Sequence, residues 1–93
     1  MAPEQRHFQT NPDVIMTEME DGESVLLDVR TRKYYSLNDT GSLIWSLVVK
    51  GTDEDGIAVA LTKSYDVEYS EAVREVREFV ADCEKDGLIV HSG

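Results

Sequence analysis

The side chains able to do chemistry in this chain are few and scattered. The two histidines, His7 and His91, stand near opposite ends, with no cysteine or carboxylate at ligand spacing from either. A metal centre needs several such donors brought together, so no metal site is expected. The single cysteine, Cys83, occupies an apolar position of a predicted helix and has no obvious histidine partner to take its proton. It reads as a small buried hydrophobe. Ser24, Ser36, Ser42, Ser46, Ser64 and Ser70 all lack the Gly-x-Ser-x-Gly context of a nucleophile elbow. Ser70 fits better as a helix cap and Ser36 as a strand residue. The acidic residues form mostly a solvated surface, and Asp53-Glu54-Asp55 is placed to favour a helix N-terminus. No catalytic residue and no cofactor is therefore expected, and the chain reads as one that binds rather than transforms.

Composition narrows what it would bind. A chain of 93 residues, 41% hydrophobic and 30% charged, fits one soluble globular domain. Its core is modest, with a net stability on the order of 5 kcal/mol. A net charge of −10 argues against nucleic acid and against an anionic membrane surface, both of which need clustered Lys and Arg. No apolar run approaches a membrane span, and MAPEQRHFQTNP lacks the apolar core of a signal peptide. One cysteine allows no internal disulfide. A cytoplasmic protein is the simplest expectation.

The elements that would position a binding surface follow from patterning. Residues 1–12, polar and with two prolines, are expected to be a flexible segment preceding a domain over residues 13–91. Val14–Met19 reads as a strand, with Asp21-Gly22 turning the chain into Glu23–Val29. There Val25, Leu27 and Val29 share one face, and Leu26 and Asp28 the other. Arg30–Arg32 turns again into Lys33–Leu37, completing a three-stranded antiparallel meander. Asn38, Asp39 and Thr40 can cap a helix from about Asp39 to Val49, which stops near Gly51. Thr52-Asp53 caps a second helix, Glu54 to Ser64, and a third runs from about Ser70 to Asp86. Gly87 ends it, and Leu88–Val90 returns as a short strand. Three strands followed by three helices is an α+β pattern.

Two features stand out as surfaces. Tyr34 and Tyr35 are strand neighbours and face opposite sides, so one enters the core while the other meets a groove or solvent beside an open strand edge. The third helix carries an apolar stripe of about 120° containing Tyr69, Ala72, Val73, Val76, Phe79, Val80 and Cys83. Its shoulders differ in charge: Arg77 and Arg74 lie beyond Val73 and Val80, and Asp86, Glu75 and Asp82 lie beyond Phe79. The stripe either serves a core on one side and a groove on the other, or is core throughout. Five of the nine basic residues, Arg30, Arg32, Lys33, Arg74 and Arg77, fall on the second hairpin or the third helix.

The run LLDVRTRKYYSLNDTGSLIW, the helix ending in SYDV, and VREVREFVADCEKDGLI together resemble the PqqD-like proteins. These include the peptide chaperone of pyrroloquinoline quinone biosynthesis and the recognition elements of ribosomally made, post-translationally modified peptides. The resemblance spans about residues 13–90, and the Tyr-Tyr-x-Leu-Asn-x-Thr-Gly version looks most like small standalone members of lasso-peptide clusters. It implies a winged helix-turn-helix-like fold in which the leader segment of a precursor peptide adds as a strand to Lys33–Leu37. By position, the implied leader-binding residues are Arg32, Lys33, Tyr34, Tyr35, Ser36 and Leu37 on the strand and hairpin. On the third helix they are Val73, Val76, Arg77 and Val80, with Val76 at the groove floor and Arg77 at its rim. The implied partners are a precursor leader peptide and a separate processing enzyme such as a cysteine leader peptidase. Thr31-Arg32 stands where many relatives have a glycine in the hairpin turn.

Other readings remain open at this point. A winged-helix DNA-binding regulator would share the helix arrangement, although a charge of −10 opposes it. A PqqD-type chaperone partnering a radical SAM enzyme would share the binding mode. A small enzyme or redox protein is disfavoured by the lack of a nucleophile–base pair.

Overall fold

The structure, a computed structural model, describes residues 8–91. Strand β1 (Phe8–Thr10) leads into β2 (Val14–Glu18), β3 (Ser24–Asp28) and β4 (Lys33–Leu37). Three helices follow, α1 (Asp39–Val49), α2 (Glu54–Ser64) and α3 (Tyr69–Lys85), before a closing strand β5 (Ile89–His91). The expected α+β pattern is thus present, with β2, β3 and β4 forming an antiparallel meander in that order.

Both turns of the meander are fixed by particular residues. Between β2 and β3, Asp21 and Gly22 take left-handed φ values of 66° and 80°, as an Asp-Gly turn requires. Between β3 and β4 there is no glycine, and Arg32 itself is left-handed at φ 63°. Asp28 compensates. Its carboxylate is 1% exposed and accepts the backbone N–H of Arg30 at 3.0 Å and of Thr31 at 3.3 Å, while its carbonyl accepts that of Arg32 at 2.7 Å. Three otherwise unpaired donors of a tight turn are thereby satisfied.

The register then sorts side chains by face. Val14 and Met16 on β2, Leu26 and Asp28 on β3, and Tyr35 and Leu37 on β4 share the inner face. They pack toward Ile44, Trp45 and Val48 of α1, Ile57 and Leu61 of α2, and Val76 and Val80 of α3. The helix starts follow the predicted caps: the side chains of Asn38 and Asp53 accept the N–H of Gly41 and Gly56, each at 2.8 Å. At the end of α3, Gly87 (φ 74°) lets the N–H of Leu88 reach back to the carbonyl of Cys83 at 2.8 Å. That is a Schellman closure, and it turns the chain directly into β5.

One expectation is corrected. Residues 8–12 belong to the fold, because β1 pairs antiparallel with β5, from Phe8 opposite His91 to Thr10 opposite Ile89. Asn11 is the physical reason. It is buried, its side-chain amide donates to the carbonyl of Gly87 at 2.9 Å, and its backbone N–H donates to that of Leu88 at 2.9 Å. Residues 1–7, including His7, lie outside the described residues.

The β3–β4 turn makes a direct test of this bonding. Asp28→Ala removes the side-chain acceptor of the Arg30 and Thr31 N–H groups and is expected to lower unfolding stability by about 1–2 kcal/mol. Arg32→Gly relieves a left-handed side chain and should leave stability unchanged or raise it by up to about 1 kcal/mol. Urea denaturation of both variants distinguishes them, and a loss in Arg32→Gly matching that in Asp28→Ala would refute this role for Asp28.

Candidate functional site

The site begins with an unpaired strand edge. β4 is bonded to β3 on one side and, among the described residues, to no strand on the other. Alternate backbone N–H and C=O groups of Lys33–Leu37 therefore point outward without a ladder partner. Side chains alternate as a half-buried strand should: Tyr35 and Leu37 are partly buried, while Tyr34 is 70% exposed and Ser36 is exposed. Tyr34 lies on the outer face in register with Leu27, which pairs in turn with Ile15. Arg32 and Lys33 are exposed at the start of the strand.

At the other end of β4 the chain enters α1 through Asn38 and runs beside α3. Here Asn38, Thr40, Gly41 and Ile44 face Glu75, Glu78, Phe79 and Asp82 across a cleft of about 240 Å³. Gly41 is what lets the two helices approach. A Cβ placed there would sit 3.2 Å from Cε1 of Phe79 and 3.5 Å from Cβ of Leu37, so the ring rests close against the end of the strand. Glu75 also borders a smaller hollow with Thr40, Leu61, Tyr65 and Val67. The cleft has an apolar floor and a rim of carboxylates. It adjoins the end of β4 through Asn38, the residue that follows Leu37.

The opposite shoulder of α3 faces α2. The Nε of Arg77 donates to Glu54 at 2.8 and 3.2 Å, and the hydroxyl of Tyr69 donates to Asp55. That hydrogen bond, ahead of a weak desolvation effect and the nearby charge of Asp55, raises the Tyr69 pKa above its ordinary value.

Comparison with known proteins bears on this geometry. A family model described as coenzyme PQQ synthesis protein D (PqqD) matches residues 23–89. The chain belongs to the PqqD family. Two solved structures are similar to it over nearly their whole length. One is a lasso peptide synthetase B1 complexed with the leader peptide, 31% identical, with a TM-score of 0.82, covering 90% of this chain and 98% of that one. The other is TbiB1 in complex with the TbiA(beta) leader peptide, 28% identical, with a TM-score of 0.83, covering 91% of this chain and 98% of that one. No curated protein matches the sequence.

Within this PqqD-family chain, the structure brings together only part of the residue set read from the sequence. Arg32, Lys33, Tyr34, Tyr35, Ser36 and Leu37 all lie on or beside the open edge. The four α3 residues do not. Val76 and Val80 are 0% and 3% exposed within the core, so neither lines an open groove. Arg77 is turned to Glu54 of α2, and Val73 lies on the same side of the helix, half-buried against the core. The acidic shoulder of α3, rather than the Val73–Val80 shoulder, lies opposite the first turn of α1. The α3 residues that line the cleft beside Asn38, Thr40 and Gly41 are instead Glu75, Glu78, Phe79 and Asp82, none of them in the residue set read from the sequence. The signal that would have found them was the acidic Asp53-Glu54-Asp55 run, which attracts the basic shoulder of α3 and so leaves the other shoulder for β4.

Cys83 is buried, and its thiol is pushed up to about 12, first by burial and then by the neighbouring charges of Asp86, Asp82 and Glu84. A thiol so placed stays protonated near neutral pH and is a poor nucleophile. Among the described residues no cluster of three metal-ligating side chains occurs, and no helix is long and apolar enough to cross a membrane.

The orientation of α3 is checked by two substitutions. Val80→Asp buries an unpaired carboxylate and should lower stability by roughly 3 kcal/mol or more, removing most of the domain's margin and its melting temperature with it. Arg77→Glu breaks a pair whose Glu54 side chain is only 13% exposed and sets two carboxylates together; it should cost about 1–2 kcal/mol and leave the domain folded, with the β4 edge untouched. Circular dichroism and thermal melts measure both. A folded Val80→Asp variant with native-like melting would show that the stripe does not pack as described.

Proposed function

We propose that this chain binds the leader segment of a ribosomally synthesised precursor peptide in lasso-peptide biosynthesis and presents it to a separate processing enzyme. The observation that carries this reading is the match to two leader-peptide complexes over 98% of each chain, joined to an unpaired β4 edge here. Strand addition supplies main-chain hydrogen bonds along Lys33–Leu37, and a cleft beside the strand supplies selectivity for alternate side chains. Arg32, Lys33, Tyr34, Tyr35, Ser36 and Leu37 form the strand side of this site. Phe79 and Gly41 take the place first assigned to Val73, Val76, Arg77 and Val80, which support the helix from within or from its far side.

The chain has no chemistry of its own in this scheme. Cleavage falls to a separate enzyme, such as a cysteine leader peptidase, that meets the bound precursor in the cytoplasm. A radical SAM partner is the reading that fits a quinone-cofactor pathway, whereas the similar structure with 31% identity is a lasso peptide synthetase B1. A DNA-binding role is disfavoured by a net charge of −10.

Calorimetric titration with the leader peptide of a precursor encoded beside this chain tests the proposal. Phe79→Ala, confirmed folded by circular dichroism, should weaken binding by about tenfold or more, since it empties the apolar floor of the cleft. Arg77→Glu should bind as the unaltered chain does. Absence of leader binding, combined with a shift of duplex DNA at low salt, would favour the regulator instead.

A further inference from the structure

The meander places opposite charges at its two ends. The β3–β4 turn and the start of β4 carry Arg30, Arg32 and Lys33, all exposed. The β2–β3 turn carries Glu20, Asp21 and Glu23, also exposed, and antiparallel topology puts it at the other end, where Ser24 pairs with Leu37. Asp39 opens α1 there, its Cβ only 3.4 Å from where a side chain on Gly22 would begin. The cleft at this end adds Glu75, Glu78 and Asp82 around the Phe79 ring. Neither the three basic residues nor these three cleft carboxylates make an ion pair among the described residues. Five strand residues separate the ends by roughly 15 Å. That exceeds the Debye length of about 8 Å at physiological salt, so a bound peptide meets two separate fields and not one average charge.

We infer that the site selects a peptide by charge polarity: a Lys or Arg beside Leu37, over the acidic cleft, and a carboxylate or no charge beside Lys33. This rests on the strand-addition reading above and adds to it the chemistry of the preferred ligand. The half-buried Phe79 ring offers an apolar surface for the methylene stem of a long basic side chain, while Glu75, Glu78 and Asp82 take its charged head. Every strand pair among the described residues is antiparallel, and an antiparallel newcomer on β4 runs its N-terminal end past Leu37. The selected basic residue therefore precedes the apolar, alternating part of the peptide.

Display of a random twelve-residue peptide library on the full chain provides the test. Enriched peptides should show alternating apolar residues preceded by Lys or Arg, with acidic residues confined to the C-terminal side. The triple variant Glu75→Gln, Glu78→Gln, Asp82→Asn should lose the basic preference but keep the apolar alternation. Its affinity for the best peptide should fall by about tenfold at physiological salt, with a smaller difference at 1 M. A second triple variant, Asp13→Asn, Asp55→Asn, Glu71→Gln, changes the net charge equally away from the cleft and should keep the preference. A basic preference that is absent, that follows the apolar segment, or that disappears equally in both variants overturns the inference while leaving strand addition intact. Failure to enrich any peptide that protects β4 amides overturns both.

Discussion

The burial of Ala72, Val76, Val80 and Cys83 along one stripe of α3 fixes the rotation of that helix, and its rotation decides what chemistry faces β4. Each buried valine is worth on the order of 2 kcal/mol, so turning the stripe outward is prohibitive for a domain of this size. With the stripe inward, one shoulder must meet α2 and the other must meet the start of α1. The ion pair of Arg77 with Glu54 lies on the first side, and the contact of Phe79 with Gly41 on the second. The pair at the surface adds little stability by itself. It marks the side that the buried stripe has already turned toward α2, which leaves the acidic shoulder opposite the start of α1.

The same economy explains why the edge of β4 is available. Asp28 anchors the β3–β4 turn through backbone donors, and Asn38 caps α1 one residue beyond Leu37. Both ends of β4 are thus held by side chain-to-backbone bonds, and its inner face by Tyr35 and Leu37. The strand does not need a second neighbour to keep its shape. A polar, partly charged edge carrying Lys33 and a protruding Tyr34 also discourages self-pairing while leaving main-chain groups ready for an added strand.

Much of this was legible in the sequence, and the parts that were not share a cause. Helices α1 and α2 match their predicted bounds because Asn38 and Asp53 are strong caps followed by apolar periodicity, and α3 differs from expectation by one residue at each end. Asp21-Gly22 marked the first hairpin. These are local signals, each contained within one element. β1 escaped because a three-residue strand of mixed polarity has no periodicity, and its anchor, Asn11, bonds a carbonyl 76 residues away. The rotation of α3 escaped for a similar reason. Periodicity defines a stripe, but which shoulder meets which neighbour depends on where α1 and α2 pack around it, which is not local to α3. The basic residues of α3 pointed toward an anionic ligand when their partner was the acidic first turn of α2.

Hydrogen–deuterium exchange at the amides of Lys33–Leu37, with and without a precursor leader peptide, tests strand addition most directly. A leader that adds to β4 must slow exchange at alternating amides along that strand, because each outward N–H gains an acceptor. Saturating leader binding that leaves β4 exchange unchanged, with protection appearing only along Glu54–Ser64, would contradict it.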